Sequence, residues 1–203
     1  MKKILISVGT RPNFIKVTQF KRIAEQMGNC EVKIVHTGQH YDRFMSGVFF
    51  DQFNLHPDYF LALETRKTAE QLGEMTMKLA DLMASYKPDL VVVPGNVNST
   101  LAAALAAKKS GIQVAHLESG LRSFDPHSPE ENNRIMIDQL SDLYFITEEN
   151  GVKNLESEGK SPTAMHFVGN TMIDTLVAFK DEIEASTILD QHNLSAKAYS
   201  LMT

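Results

Sequence analysis

The sequence predicts an α/β protein built on one doubly wound parallel sheet. Short β-branched runs alternate along the chain with amphipathic stretches, the signature of repeated strand–helix units. The runs are apolar almost throughout instead of alternating, as strands covered by helices on both faces must be. Polar, glycine-containing loops follow five of the runs, and sheets of this kind place ligands at the carboxyl ends of their strands.

Six runs read as strands, at residues 3–8, 31–36, 89–93, 113–117, 143–146 and 165–168. Between the second and third, residues 68–87 set Leu72, Met75, Leu79, Leu82, Met83 and Tyr86 at three- and four-residue steps, the stripe of a helix facing a core. Residues 99–109 form a second helix, rich in alanine for close packing, with Gly111 as its stop. Residues 184–198 read as a polar helix and linker. No internal repeat or low-complexity tract interrupts the series.

Composition limits the function classes. Hydrophobic residues at 43% and charged residues at 22% of 203 are the balance of a globular protein. No apolar run approaches the ~20 residues of a membrane span, and Met1-Lys2-Lys3 leads into a strand instead of a cleavable leader, so a cytoplasmic location is expected. The single cysteine, Cys30, leaves no internal disulfide and fits a reducing compartment. A net charge of −5 with no basic cluster argues against a nucleic-acid partner.

The chemistry is expected in the loops. In Gly9-Thr10-Arg11-Pro12, Arg11 stands five residues before Lys16, so both can face an anion near a helix start; a surface pair is the alternative. The loop lacks Gly-x-Gly-x-x-Gly, which disfavours a dinucleotide site, and no P-loop occurs. Gln39 and His40, in Thr37-Gly38-Gln39-His40, suit hydrogen bonds to a hydroxylated ligand or a simple turn; His36 and His40 lack the partners of a zinc site. Residues 118–134 gather Glu118, Arg122, Asp125, His127, Glu130, Glu131 and Arg134 with little apolar content. Neighbouring carboxylates and arginines serve proton transfer and sugar binding. Ser128-Pro129-Glu130-Glu131 is also a good helix start, and both readings can hold.

Taken with Gly95-Asn96-Val97-Asn98-Ser99-Thr100, His116-Leu117-Glu118-Ser119-Gly120-Leu121-Arg122, Pro129-Glu130-Glu131-Asn132-Asn133-Arg134 and Gly169-Asn170, these loops resemble, in order, those of the non-hydrolysing UDP-N-acetylglucosamine 2-epimerases. The resemblance covers essentially the whole chain. It implies the Rossmann-like N-terminal lobe of a GT-B fold, with the sugar reacting in the cleft, most UDP contacts in a second lobe, and no metal or cofactor. It further implies interconversion of UDP-GlcNAc and UDP-ManNAc by elimination of UDP and its re-addition through 2-acetamidoglucal, and a homodimeric full-length enzyme. Carried over by motif, Glu118 and Glu130 are acid/base carboxylates, Arg11 and Lys16 the basic pair near sugar and diphosphate, and Gln39, His40 and Arg134 further substrate-binding positions.

Asn96 stands where the family usually has the third catalytic group, an Asp. An amide does not exchange a proton as a carboxylate does, so the expected loss is about 10²–10⁴ in rate. Asn13 stands where some members have Glu and reads as subgroup variation. Residues 1–185 are expected to form the lobe, and residues 186–203 a linker with the start of the second lobe's first strand, the chain stopping before an expected His-Arg motif. The isolated chain is therefore expected to be inactive. The competing readings are a catalytically dead lobe, or the lobe of a hydrolysing epimerase or of a GT-B glycosyltransferase.

Overall fold

The computed structural model describes residues 1–38, 50, 52–65 and 67–202. Seven strands, β1 (Lys2–Val8), β2 (Cys30–His36), β3 (Tyr59–Phe60), β4 (Leu90–Pro94), β5 (Gln113–Leu117), β6 (Leu143–Ile146) and β7 (Met165–Phe167), form one sheet in the order β3-β2-β1-β4-β5-β6-β7. Every pairing is parallel. The chain runs outward from β1 in one direction and returns to β4 on its other side, so the connections reverse between these two strands. Such a reversal opens a crevice at the carboxyl ends of the strands. The sheet order is that of a Rossmann-like lobe.

Helices fill both faces: α1 (Arg11–Val17), α2 (Phe20–Met27), α3 (Thr68–Tyr86), α4 (Asn98–Lys109), α5 (Pro129–Leu140), α6 (Glu149–Ser157), α7 (Thr171–Ala178), α8 (Lys180–Glu184) and α9 (Ile188–Gln191). The near-continuous apolar strands follow from this. Leu5, Val91 and Val93 pack on one face with Met75, Leu79 and Met83 of α3, whereas Ile6, Val8 and Val92 pack on the other with Phe14 and Val17 of α1. Each such side chain, fully buried, contributes about 1.5–3 kcal/mol. The α3 stripe lies where its spacing placed it: Met75, Leu79, Met83 and Tyr86 are buried, with Leu72 and Leu82 packed at its margin. Five alanines of α4 are wholly or almost wholly buried, so this helix sits close between α3 and α5. None of the helices among the described residues is long and apolar enough to cross a membrane.

Two features differ from the sequence expectation. Strand β3 holds only two residues, too few for a periodic signal, and is fixed at the sheet edge by Asp58 N–H donating to Ile34 O and Leu61 N–H to His36 O, both 2.8 Å. Near the end of the chain, residues 199–202 carry no strand; an extended segment needs a neighbouring strand to take its backbone groups.

Candidate functional site

Residue Thr10, extended at φ −136° and ψ 160°, leads into α1, with Arg11 exposed at the first helical position and Pro12 next to it. The buried Asn13 accepts from the N–H of Gly9 and of Thr10 (both 3.2 Å) and from Thr10 Oγ1 (2.9 Å), and its Nδ2 donates to Pro94 O at 2.9 Å. One amide thus ties the loop after β1 to the end of β4. An ionised carboxylate has no proton to give Pro94 O, so Asn13 acts as a structural brace here, a role beyond the subgroup variation read from the sequence. A Cβ on Gly9 would stand 2.1 Å from Ser99 Oγ and 2.6 Å from Thr37 Oγ1. The loops after β1 and β2 and the start of α4 therefore meet at this glycine.

Lys16, one turn into α1, donates from Nζ to Glu118 Oε2 at 2.5 Å, with 10% and 22% of the two side chains exposed. Above the pair sits Gly95, whose φ of 73° suits a residue without Cβ; a Cβ there would meet Lys16 Nζ at 3.2 Å and Glu118 Oε2 at 3.7 Å. Glu118 itself has φ 73°, a left-handed conformation that costs a side-chain-bearing residue about 1–3 kcal/mol and concentrates at functional sites. It is held because the N–H groups of Glu118 and Ser119 both donate to Phe145 O, at 3.0 and 3.2 Å, and Gly95 N–H to Leu117 O at 2.9 Å.

Beneath these loops lies a polar network centred on the fully buried His116 and Asp138. His116 Nδ1 is 2.6 Å from Asp138 Oδ1, and His116 Nε2 is 2.9 Å from Gly95 O. Asp138 Oδ2 accepts from Gly120 N–H (3.1 Å) and from Arg122 (2.7 Å), which also forks onto Glu158. Burial works against the Asp138 carboxylate, but His116 and Arg122 outweigh it and hold its pKa below the ordinary value. Arg122, in the segment read as a sugar-binding cluster, is thus turned inward.

The Ser128 hydroxyl caps α5, accepting from Glu131 N–H at 3.3 Å, with Pro129 at the first position, as the helix-start reading predicts. The buried Glu131 accepts from the N–H groups of Ser123 and Phe124, both at 3.0 Å, and from Arg134. Burial opposes its ionisation, but the two backbone donors and Arg134 prevail and lower its pKa. Arg134 is accordingly engaged in bracing the 121–128 loop. Glu130 is exposed, in contact with Ser128 Oγ at 3.3 Å. Asn133, one turn further along, donates to Asn96 O (3.0 Å) and Asn98 Oδ1 (2.9 Å). Residues three apart share a helix face, so Glu130 lies toward the Asn96 loop, whose side chain is half-buried.

Lys16, Glu118 and the Gly95-Asn96 turn are therefore in direct contact or one residue apart, with Glu130 one helical turn beyond them and Arg11 at the head of the helix that carries Lys16. Gln39 and His40 fall outside the described residues. His36 stacks on Phe14 and Phe60 (ring centroids 5.4 and 4.9 Å) and accepts Gly38 N–H on Nδ1 at 2.9 Å; burial lowers its pKa to about 4. Among the described residues no group of three His, Cys, Asp or Glu side chains stands close enough to hold a metal ion.

A family model described as UDP-N-acetylglucosamine 2-epimerase matches residues 22–203. The chain belongs to the UDP-N-acetylglucosamine 2-epimerase family. A UDP-N-acetylglucosamine 2-epimerase homolog of Methanococcus maripaludis is 42% identical over 99% of this chain and 56% of its own length. A Pseudomonas aeruginosa UDP-2,3-diacetamido-2,3-dideoxy-D-glucuronate 2-epimerase is 44% identical over 87% of the chain and 51% of its own. The crystal structure of Methanocaldococcus jannaschii UDP-GlcNAc 2-epimerase in complex with UDP-GlcNAc and UDP superposes with a TM-score of 0.88, at 38% identity, over 94% of this chain and 52% of that one. The galactosyltransferase WaaB, 14% identical with a TM-score of 0.57, shares the fold alone. The chain spans about half the length of the 2-epimerases it matches, and its architecture is that of one Rossmann-like lobe of the GT-B fold.

Proposed function

We propose that this chain is the sugar-side lobe of a 2-epimerase that interconverts UDP-GlcNAc and UDP-ManNAc in the cytoplasm, by eliminating UDP from C1 together with the C2 proton, then returning UDP to C1 and a proton to the opposite face of C2. The observation that carries this is Lys16 paired with Glu118 beside Asn96. The C2–H of the sugar is a weak acid, so elimination needs a base at C2 and a cation at the departing diphosphate. Glu118 and Glu130 would be the acid/base carboxylates; Lys16 and Arg11 would meet the diphosphate, with Gln39, His40 and Arg134 as further substrate-binding positions. In this reading residues 1–185 form the lobe, residues 186–203 lead to a UDP-binding second lobe, and the complete enzyme is a homodimer. No nucleic acid takes part.

A second substrate has a specific ground: the Pseudomonas relative, 44% identical, is named for a diacetamido glucuronate sugar. Both substrates are tested by one fusion, this chain joined to the C-terminal half of the M. maripaludis relative. The expected result is slow interconversion of UDP-GlcNAc and UDP-ManNAc with deuterium entering C2 from heavy water, and a rise of about 10²–10⁴ in turnover on N96D. An unchanged rate in the N96D fusion would show that position 96 transfers no proton. Turnover of the diacetamido sugar alone would transfer the assignment to that substrate. Net release of UDP would mark a hydrolysing enzyme, and a folded N96D fusion without any of these activities would overturn the epimerase reading.

A further inference from the structure

We propose that His116 is a positioning residue that works as a buried imidazolium, locking the turn that carries Asn96 to the loop that carries Glu118. Its two ring nitrogens meet acceptors on both sides, Asp138 Oδ1 at 2.6 Å and the Gly95 carbonyl at 2.9 Å. A carbonyl oxygen only accepts, so Nε2 carries a proton. An ionised carboxylate also only accepts, so Nδ1 carries one too. Asp138 is kept ionised by Arg122 at 2.7 Å and by the Gly120 N–H at 3.1 Å. His116 and Asp138 are wholly shielded from solvent.

The positions at the two ends of this strut matter more than the strut. Gly95 precedes Asn96, and His116 precedes Glu118 by two residues on β5. Glu118 has φ 73°, a left-handed conformation that relaxes unless neighbours hold it, whereas Gly95 takes the same φ freely because it has no Cβ. One charged ring therefore fixes the separation of a freely turning glycine and a strained glutamate, with Asp138 on α5 as its anchor. The charged and titratable groups around it are Asp138 on α5, Arg122 in the loop between β5 and α5, Glu158 beyond α6, and Tyr144 on β6, whose hydroxyl donates to the Asp138 backbone carbonyl at 3.1 Å. His116 touches no reacting atom and acts only through the turns it joins.

The inference rests on reading Asn96 and Glu118 as site residues, but its test needs no ligand, so it can fail while the epimerase assignment stands, and the reverse. The chain is labelled with ¹⁵N and the long-range ¹H–¹⁵N correlations of its imidazoles are recorded at neutral pH. The expected spectrum gives His116 two proton-bearing nitrogens. One bare ring nitrogen on His116 overturns the proposal, and this measurement requires no variant. In D138N, which keeps the shape and removes the anion, the expected result is a bare nitrogen on His116 together with displaced or exchange-broadened amide signals of Gly95, Asn96 and Glu118. The amides of Lys2 and Glu31, at the amino ends of β1 and β2 away from the loops, should stay in place. A folded D138N chain whose ring becomes neutral while those three amides hold still would show that the ring's charge positions nothing.

Discussion

Asn13 shows how a single amide can decide the geometry of a site. It accepts three hydrogen bonds from the Gly9-Thr10 loop and donates one to Pro94 O, so exchanging its NH₂ for an oxygen sets two acceptors face to face in a buried place. The expected cost of N13D is about 1–3 kcal/mol, read as a lowered urea midpoint at neutral pH with no change in slope; an unchanged midpoint would remove Asn13 from the bracing role. This role was not legible in the sequence, because the partner at Pro94 lies 81 residues away and only the folded sheet brings β1 beside β4. The same is true of His116 and Asp138, each hidden inside an apolar or helical run. The proposals for Glu118 and Glu130 rest on loop motifs, to which the structure adds the pairing of Glu118 with Lys16. The pairing of Arg134 with Glu131 was not legible, since nothing in the spacing distinguishes a side chain turned inward from one turned outward.

At the scale of elements, the strands and long helices were readable wherever a run was long enough to show its period. The α3 stripe, from Leu72 to Tyr86, repeats over about four turns, and the cap Ser128-Pro129 announces α5. The two-residue β3 shows no period at all, and its place is set by Asp58 and Leu61 pairing with β2. Loop convergence is likewise a tertiary fact. Gly9 is in effect a shared wall between the β1 loop, Thr37 and Ser99. Adding a methyl group in G9A must push at least one of them aside, at about 1–3 kcal/mol, or about 2–4 °C of Tm for each kcal/mol in a chain of this size. A scanning-calorimetry Tm equal to that of the parent chain would show that the three loops do not depend on this close approach.

For the whole molecule, stability should depend on pH through His36. Its ring is packed between Phe14 and Phe60, and burial lowers its pKa from 6.5 to about 4. Between these values the unfolded chain binds a proton that the folded chain refuses. Stability contributed by the neutral ring is therefore complete above pH 6.5 and declines as the pH falls toward 4, by about 3 kcal/mol in all. The lowered carboxylates Glu131 and Asp138 lose their contribution at more acid pH, so the two windows separate. Urea midpoints taken every half unit from pH 7 to 4 should trace this decline, and a His36→Leu chain should lack it whatever its baseline; a flat profile for the parent chain would place His36 in water.

The Lys16–Glu118 pair has a consequence for how the lobe meets ligands. A cation and an anion 2.5 Å apart cancel at any distance much beyond their own separation, so this pair adds little to any long-range pull on passing anions. In the reaction proposed above, a molecule that offers a negative group to the lysine and an acidic C–H to the glutamate would compensate for parting them.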